Sequence, residues 1–147
     1  MRRTVRDHLV QAAVVNLREY GVADNSFRFV RGAIFESIDQ IEPHSIDTVF
    51  CLGIFYHVAD HMLLLSKIAR LKPKHLILDT EITLDSPCVI LLKSEDTRHE
   101  GTAFQGGPGA SPLALVGKPS KAALELMLSS FGWNFTYYDW RHSGINR

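Results

Sequence analysis

Hydrophobic and polar positions follow two different periods along this chain. Apolar side chains recur every three or four residues in segment 4–20, between Asp60 and Pro73, and again between Ser120 and Gly132, which predicts three amphipathic helices. Continuous apolar runs at 48–52 and 75–78 are typical of parallel strands buried on both faces. The alternation of helix and strand predicts an α/β domain with a parallel sheet.

Capping and breaking residues mark the ends of the three helices. Thr4, Asp60 and Ser120 each precede an apolar stripe, and each side chain can accept a hydrogen bond from the first helical turn. The residues that follow the helices are strong terminators, glycine because it adopts left-handed backbone and proline because it lacks an N–H. These terminators are Gly21, Pro73 and Gly132.

Four further segments have weaker patterns. Residues 27–30 and 88–92 are short apolar runs that predict strands, and residues 134–140 alternate as a half-buried strand does. Segment 93–118 carries a charged cluster at 95–100 followed by GGPGASP. A segment of this kind predicts a loop, which is either a solvated insert or a lid over a site.

Composition narrows the class of protein. The chain has 147 residues, enough for one domain, and its 46% hydrophobic content argues against disorder. Sixteen basic residues balance sixteen acidic ones, so net charge does not indicate a polyanion partner, although a local basic patch for RNA stays open. Cys51 and Cys88 lie in apolar runs and are predicted to be reduced core thiols.

Membrane and export signals are weak in this sequence. No apolar run approaches the roughly 20 residues that span a bilayer. The basic start of the chain is interrupted by Asp7 and His8 before any long apolar core, unlike a signal peptide. We therefore expect a cytoplasmic protein with no membrane partner.

Four stretches, in order, resemble landmarks of class I S-adenosylmethionine-dependent methyltransferases. They are FRFVRGAIFE, IDTVFCLGIFYHV, ARLKPKHLILDTEI and GKPSKAALELMLSSFGWNFTYYDW. Within that family, GIFYHVAD and LDTEI followed by PSKAALELMLSSFGW are similar to wobble-uridine carboxymethyltransferase-type enzymes. Those enzymes use carboxy-S-adenosylmethionine on tRNA. The resemblance implies methyl or carboxymethyl transfer to a small-molecule or tRNA acceptor.

The resemblance also implies a fold. It places residues 1–147 in a single partial domain with a Rossmann-like, mostly parallel sheet that lacks its first two strands and its last. The family's glycine-rich turn and its ribose-binding acidic residue have no counterpart here. Two expectations follow: a methyltransferase that works when assembled with the missing cofactor-binding half, or an inactive binding or scaffold module. An open sheet edge would favour a homo-oligomer that covers it.

Six residues are implied to bind the cofactor. Cys51, Leu52 and Gly53 would lie at the carboxyl end of a strand, where open α/β sheets bind ligands. The alternative is a strand that simply ends on a glycine turn. By the resemblance, Gly32, Ala33 and Ile34 border the adenine, with the backbone N–H of Ala33 or Ile34 as the hydrogen-bond donor. The alternative is a plain turn into a helix.

Tyr56 and His57 are the implied catalytic residues. The resemblance places both at the methyl-transfer site, where a neutral histidine can take a proton from a hydroxyl nucleophile. Alternatively, His57 only caps the following helix or forms a hydrogen bond within the loop. His57 and His61 are spaced to share a helix face, but two histidines without a third ligand do not make a zinc site. We predict no metal.

Overall fold

Helices and strands alternate along most of the chain. A computed structural model describes residues 7–30, 32–83, 87–98, 102 and 111–138. In chain order the elements are α1 (Asp7–Glu19), α2 (Ile34–Asp39), β1 (Thr48–Leu52), α3 (His61–Arg70), β2 (His75–Asp79), β3 (Ile90–Asp96), β4 (Leu113–Pro119) and α4 (Lys121–Ser130). Single 3₁₀ turns occupy Asp24–Ser26 and Phe55–His57.

The described strands form two separate pairs. β1 and β2 are parallel, with Thr48 opposite His75 and Leu52 opposite Asp79. β3 and β4 are antiparallel and form a hairpin. One isolated parallel bridge, between Thr83 and Ser120, lies outside both pairs. The predicted mixed α/β class is therefore confirmed, with a parallel sheet of two strands in the described residues.

The core lies on one face of the β1–β2 sheet. Leu64, Leu65 and Ile68 of α3 pack there with Cys51 of β1. Four residues of α4 complete this cluster: Ala123, Leu124, Met127 and Leu128. β1 and β2 were expected to be buried on both faces.

That expectation is wrong for the opposite face of the sheet. Phe50 is 64% exposed, Leu52 is 52% exposed and Ile77 is 47% exposed. Side chains alternate between the two faces of a strand, so the exposed residues of β1 flank the buried Cys51. The reason is that α3 and α4 both pack on the Cys51 face.

The terminators act as the sequence predicts. Gly21 and Gly132 both have a φ of +76°, a region that L side chains rarely adopt. After each glycine the chain reverses, and the N–H groups of Val22 and Trp133 donate back to the last helical turns. α3 ends ahead of Pro73.

The predicted caps have three different outcomes. Ser120 Oγ accepts from the Ala123 N–H at 3.1 Å and caps α4, as predicted. Asp60 stands at the start of α3, but its side chain forms no capping hydrogen bond. Thr4 lies outside the described residues.

Two predicted strands are absent from the part of the chain that the structure describes. Residues 27–30 form no ladder, and Phe27 and Phe29 instead pack edge to face with ring centroids 5.6 Å apart. Residues 134–138 are also irregular. There Lys121 Nζ, at the start of α4, lies 4.7 Å from the Tyr137 ring centroid. This segment therefore lies against α4 instead of extending a sheet.

The described residues of segment 93–118 are partly strand, where the sequence pattern predicts a loop. The strand predicted at 88–92 is observed as β3, which begins at Ile90 and runs on to Asp96. β4 begins at Leu113, so both ends of the segment predicted as a loop or lid are strand. In β4, Ala114 and Val116 are buried, which is the alternation of a half-buried strand.

Among the helices of the described residues, none is both long and apolar enough to cross a membrane.

We predict that Ser120→Ala lowers the free energy of unfolding by about 1–3 kcal/mol. Ser120 is fully buried, and its Oγ accepts from two N–H groups, of Val89 at 3.2 Å and of Ala123 at 3.1 Å. The substitution leaves both donors without this acceptor. Urea unfolding measures the change, and Ser129→Ala at the exposed end of the same helix is the control. Equal losses in the two variants would contradict the prediction.

Candidate functional site

A tight turn follows β1 at the carboxyl edge of the sheet. Gly53 has a φ of +67°, and its N–H donates to the Asp79 carbonyl at 3.0 Å, which ties the ends of β1 and β2 together. A side chain at Gly53 would be strained by the backbone conformation, not by crowding. Phe55, fully buried, then anchors the 3₁₀ turn that carries Tyr56 and His57. The turn therefore fixes both predicted catalytic residues at this edge.

His57 is paired with a carboxylate from the hairpin. Its Nδ1 lies 2.9 Å from Glu95 Oε2, and the two side chains are only 18% and 22% exposed. With Nδ1–H donating to the carboxylate, the lone pair of the neutral ring is on Nε2. A histidine that a carboxylate orients in this way has the arrangement of a general base. The alternative reading, a capping role for His57, has no support in this contact.

A lysine and a second carboxylate complete the group around Tyr56. The Tyr56 ring stacks at 4.1 Å on the His57 ring, with an interplanar angle of 41°. Lys118 Nζ, on β4, lies 6.0 Å from the Tyr56 ring centroid, and Lys118 also forms an ion pair with Glu81. We call this group the polar cluster. Its members are Tyr56, His57, Glu81, Glu95 and Lys118.

His61 lies beside the polar cluster but inside the protein. It is 1% exposed, its ring lies 4.5 Å from the Phe55 ring, and its Nε2 lies 3.0 Å from the Gly117 carbonyl oxygen. Burial lowers the pKa of His61, and the nearby backbone carbonyls of Gly117 and Phe55 only partly oppose this effect. His61 is therefore a neutral donor to Gly117. Its Nδ1 makes no hydrogen bond of normal geometry to any described residue.

The two histidines thus do different things. His57 binds a carboxylate and His61 binds a carbonyl, and they do not converge on one point. Within residues 7–30, 32–83, 87–98, 102 and 111–138, no three His, Cys, Asp or Glu side chains are grouped as metal ligands.

A separate apolar cavity of about 280 Å³ lies between β1, α2 and α3. It brings together Ile34 and Cys51, two of the residues implied to bind the cofactor. Ile38, Val49 and Ile68 are among its other walls. Such walls can bury a ring or a hydrocarbon chain, but they offer few partners to polar groups.

The other implied cofactor residues lie outside the walls of this cavity. Gly32 and Ala33 are exposed in the turn before α2, where the Ala33 carbonyl accepts from the Glu36 and Ser37 N–H groups. Leu52 is 52% exposed on the uncovered sheet face. The cavity therefore unites only part of the predicted set, and neither Tyr56 nor His57 lines it.

Sequence reasoning missed three members of the polar cluster. The sequence pattern places Glu95 in a charged loop and gives Glu81 and Lys118 no role. Glu95 lies 38 residues from His57, and only the hairpin brings the two together. The alternation in β4 was the available signal, since it would have turned the predicted loop into a strand that pairs with 90–96.

The two cysteines differ in environment. Cys51 is 3% exposed, as predicted for a core thiol, and burial raises its pKa to about 11. Cys88 is exposed, so the prediction that it is a core thiol is wrong. It lies just ahead of β3.

No family model, curated protein or solved structure matches this chain. The methyltransferase resemblance therefore rests on the four stretches of sequence alone.

We predict that iodoacetamide at neutral pH alkylates Cys88 rapidly and leaves Cys51 unmodified. The thiolate is the reactive form, and Cys51 with a pKa of about 11 is almost entirely protonated as well as buried. Mass spectrometry of digested protein measures both sites. Denatured protein, in which both cysteines should react, is the control. Equal rates at the two sites in the folded protein would contradict the assigned burial.

We predict that the free energy of unfolding falls as pH decreases below about 6.5. The pKa of His61 is lowered in the folded state, so the unfolded state takes up the proton first and is favoured. The contribution is complete above the unfolded pKa and is lost at up to about 1.4 kcal/mol per pH unit below it. Urea unfolding at several pH values, compared between wild type and His61→Gln, isolates this group. Identical slopes in the two proteins would contradict it.

Proposed function

We propose that this chain is a class I methyltransferase-type domain whose active form transfers a methyl or carboxymethyl group to a hydroxyl on a small-molecule or tRNA acceptor. The observation that carries the proposal is the His57–Glu95 pair at 2.9 Å, at the carboxyl end of β1. Open α/β sheets bind ligands at that edge. The four family-like stretches supply the reaction class.

The proposed chemistry needs a base and a held acceptor. S-adenosylmethionine, or its carboxylated form, would supply an electrophilic carbon whose bond to the sulfonium sulfur would break as the acceptor oxygen bonds to it, with the neutral thioether as the leaving group. His57 Nε2 takes the proton from the acceptor hydroxyl, and the Glu95 carboxylate stabilises the imidazolium that results. Tyr56 presents a ring face beside this histidine, with Lys118 nearby, which suits a planar or anionic acceptor.

The described residues fit only part of such a cofactor. The apolar walls at Ile34 and Cys51 suit an adenine ring by burial. The ribose hydroxyls and the methionine charges need hydrogen-bonding groups that these walls do not provide. We therefore propose that the active form is an assembly, in which a second polypeptide or a second copy completes the site.

The sheet supports this assembly proposal. In the described residues β1 pairs only with β2, which leaves its other edge open. Phe50, Leu52 and Ile77 expose one apolar face of the same two strands. β1 and β2 would then be the fourth and fifth strands of a Rossmann-like methyltransferase sheet, and their parallel register is in keeping with that placement.

A second candidate function is a binding module without catalysis. The observation that favours it is the mismatch between the cavity and the implied cofactor residues, since Gly32, Ala33, Leu52 and Gly53 do not line the cavity. Such a module would keep the fold and bind an apolar group without transferring anything.

We predict that the folded chain binds S-adenosylhomocysteine weakly and that Ile34→Asp abolishes this binding. Ile34 is the first residue of α2, where an acidic residue is compatible with the helix, but its charge would desolvate in the apolar cavity. Isothermal titration calorimetry measures binding, and Ile34→Val is the control. A cooperative melt with no heat of binding would reject cofactor use by this chain alone.

We predict that His57→Asn lowers the transfer rate by about 100- to 10,000-fold, because it removes the base. The measurement is incorporation of labelled methyl or carboxymethyl groups into unmodified tRNA and into a small-molecule pool. His44→Asn is the control, since His44 lies in an exposed turn with a φ of +62° that asparagine tolerates. Binding of the cofactor with no transfer to either pool, in the chain or its assembly, would favour the binding module.

A further inference from the structure

We propose that His61 is a positioning residue that holds the β3–β4 hairpin so that Glu95 reaches His57. The importance of this arrangement for catalysis rests on the proposed function. The claim that His61 holds the hairpin in place does not. His61 itself is buried beneath the site and would touch no acceptor.

His61 contacts both of the elements that carry the pair. On one side its ring lies 4.5 Å from the ring of Phe55, which belongs to the same 3₁₀ turn as His57. On the other side its Nε2–H donates to the Gly117 carbonyl of β4 at 3.0 Å. A single side chain therefore links the turn that presents the base to the hairpin that presents the carboxylate.

The hairpin transmits this link to Glu95 through its register. Gly117 lies opposite Leu92, and Glu95 lies opposite Ala114 in the same antiparallel ladder. Because the ladder hydrogen bonds fix one strand against the other, a shift of β4 at Gly117 moves β3 with it. The position of Glu95 then depends on the His61–Gly117 bond.

The packing at Gly117 shows how closely the His61 ring approaches the backbone of β4. A Cβ built on Gly117 would lie 2.8 Å from His61 Cε1 and 2.9 Å from Ile90 Cγ2. Real Cβ atoms essentially never come so near, so glycine is needed here for space. Its absent side chain is what lets the imidazole reach the backbone carbonyl.

The hydrogen bond and the ring packing can be separated by substitution. His61→Phe keeps an aromatic ring against Phe55 but removes the donor, which leaves the buried Gly117 carbonyl without it. His61→Gln keeps an N–H donor at about the position of Nε2. Gly117→Ala disturbs the same contact from the other side, by pushing the ring away from the carbonyl.

The test reads the tautomer of His57 by long-range ¹H–¹⁵N NMR of protein labelled at histidine nitrogen. In wild type we expect the Nδ1–H form, held by Glu95. His61→Phe and Gly117→Ala should lose this preference and match Glu95→Ala, whereas His61→Gln should keep it. Leu128→Ala is the control, because Leu128 is a buried core residue of α4 and belongs to neither the 3₁₀ turn nor the hairpin. His61→Asn, with a shorter amide, replaces the Phe variant if that variant does not fold.

An unchanged His57 spectrum in folded Gly117→Ala and His61→Phe protein would overturn the proposal, because His61 would then only fill space. The same loss in Leu128→Ala would also overturn it, since any destabilisation would suffice. The spectra need neither cofactor nor acceptor. Failure of the transfer assay therefore rejects the proposed function without touching this inference, and the reverse also holds.

Discussion

Burial of one face of α3 is the constraint on which the rest of the structure depends. Leu64 and Leu65 are fully buried and Ile68 is 2% exposed, and all three pack in one cluster with residues of β1 and α4. Because this face cannot rotate without exposing those side chains, the start of α3 is fixed relative to the sheet. The His61 side chain, which enters the hairpin, and the turn before it are then fixed as well.

The chain separates an apolar region from a polar one. The cavity between β1, α2 and α3 can bury a ring, and the polar cluster at the carboxyl edge of β1 can move a proton. In an enzyme of the proposed kind these two regions would serve the donor and the acceptor. Within the described residues β1 pairs only with β2, and the exposed Phe50 also lines the cavity, so a partner seated on β1 would border the cavity.

Local patterns predicted the elements better than their pairing. Four elements lie close to their predicted bounds: β1, α3, β2 and α4. The apolar run or stripe and the cap or terminator that predict each of them lie within a few neighbouring residues. Residues 27–30 have the same apolar character but no partner strand in the described chain, and a strand needs a neighbour. The prediction that β1 is buried on both faces is wrong at Phe50 for a similar reason, because tertiary packing decides which face of a strand is covered.

The candidate site shows the same limit. The resemblance singles out Tyr56 and His57, which follow β1 in the structure, and their catalytic role stays a prediction. Glu95 could not be singled out from its sequence neighbours, because its partner is 38 residues away and hairpin register decides the contact. The charge of Glu95 suggests a solvent-exposed position, whereas its side chain is 22% exposed beside the His57 imidazole.

A double-mutant cycle on the free energy of unfolding tests the central claim, that Glu95 holds His57. The cycle uses His57→Phe, which keeps a ring beside Tyr56, with Glu95→Ala and the double variant. For a partly buried, charge-assisted hydrogen bond we expect a coupling of about 1 kcal/mol. Additive effects within about 0.3 kcal/mol would contradict the account, since residues that share no contact behave in that way.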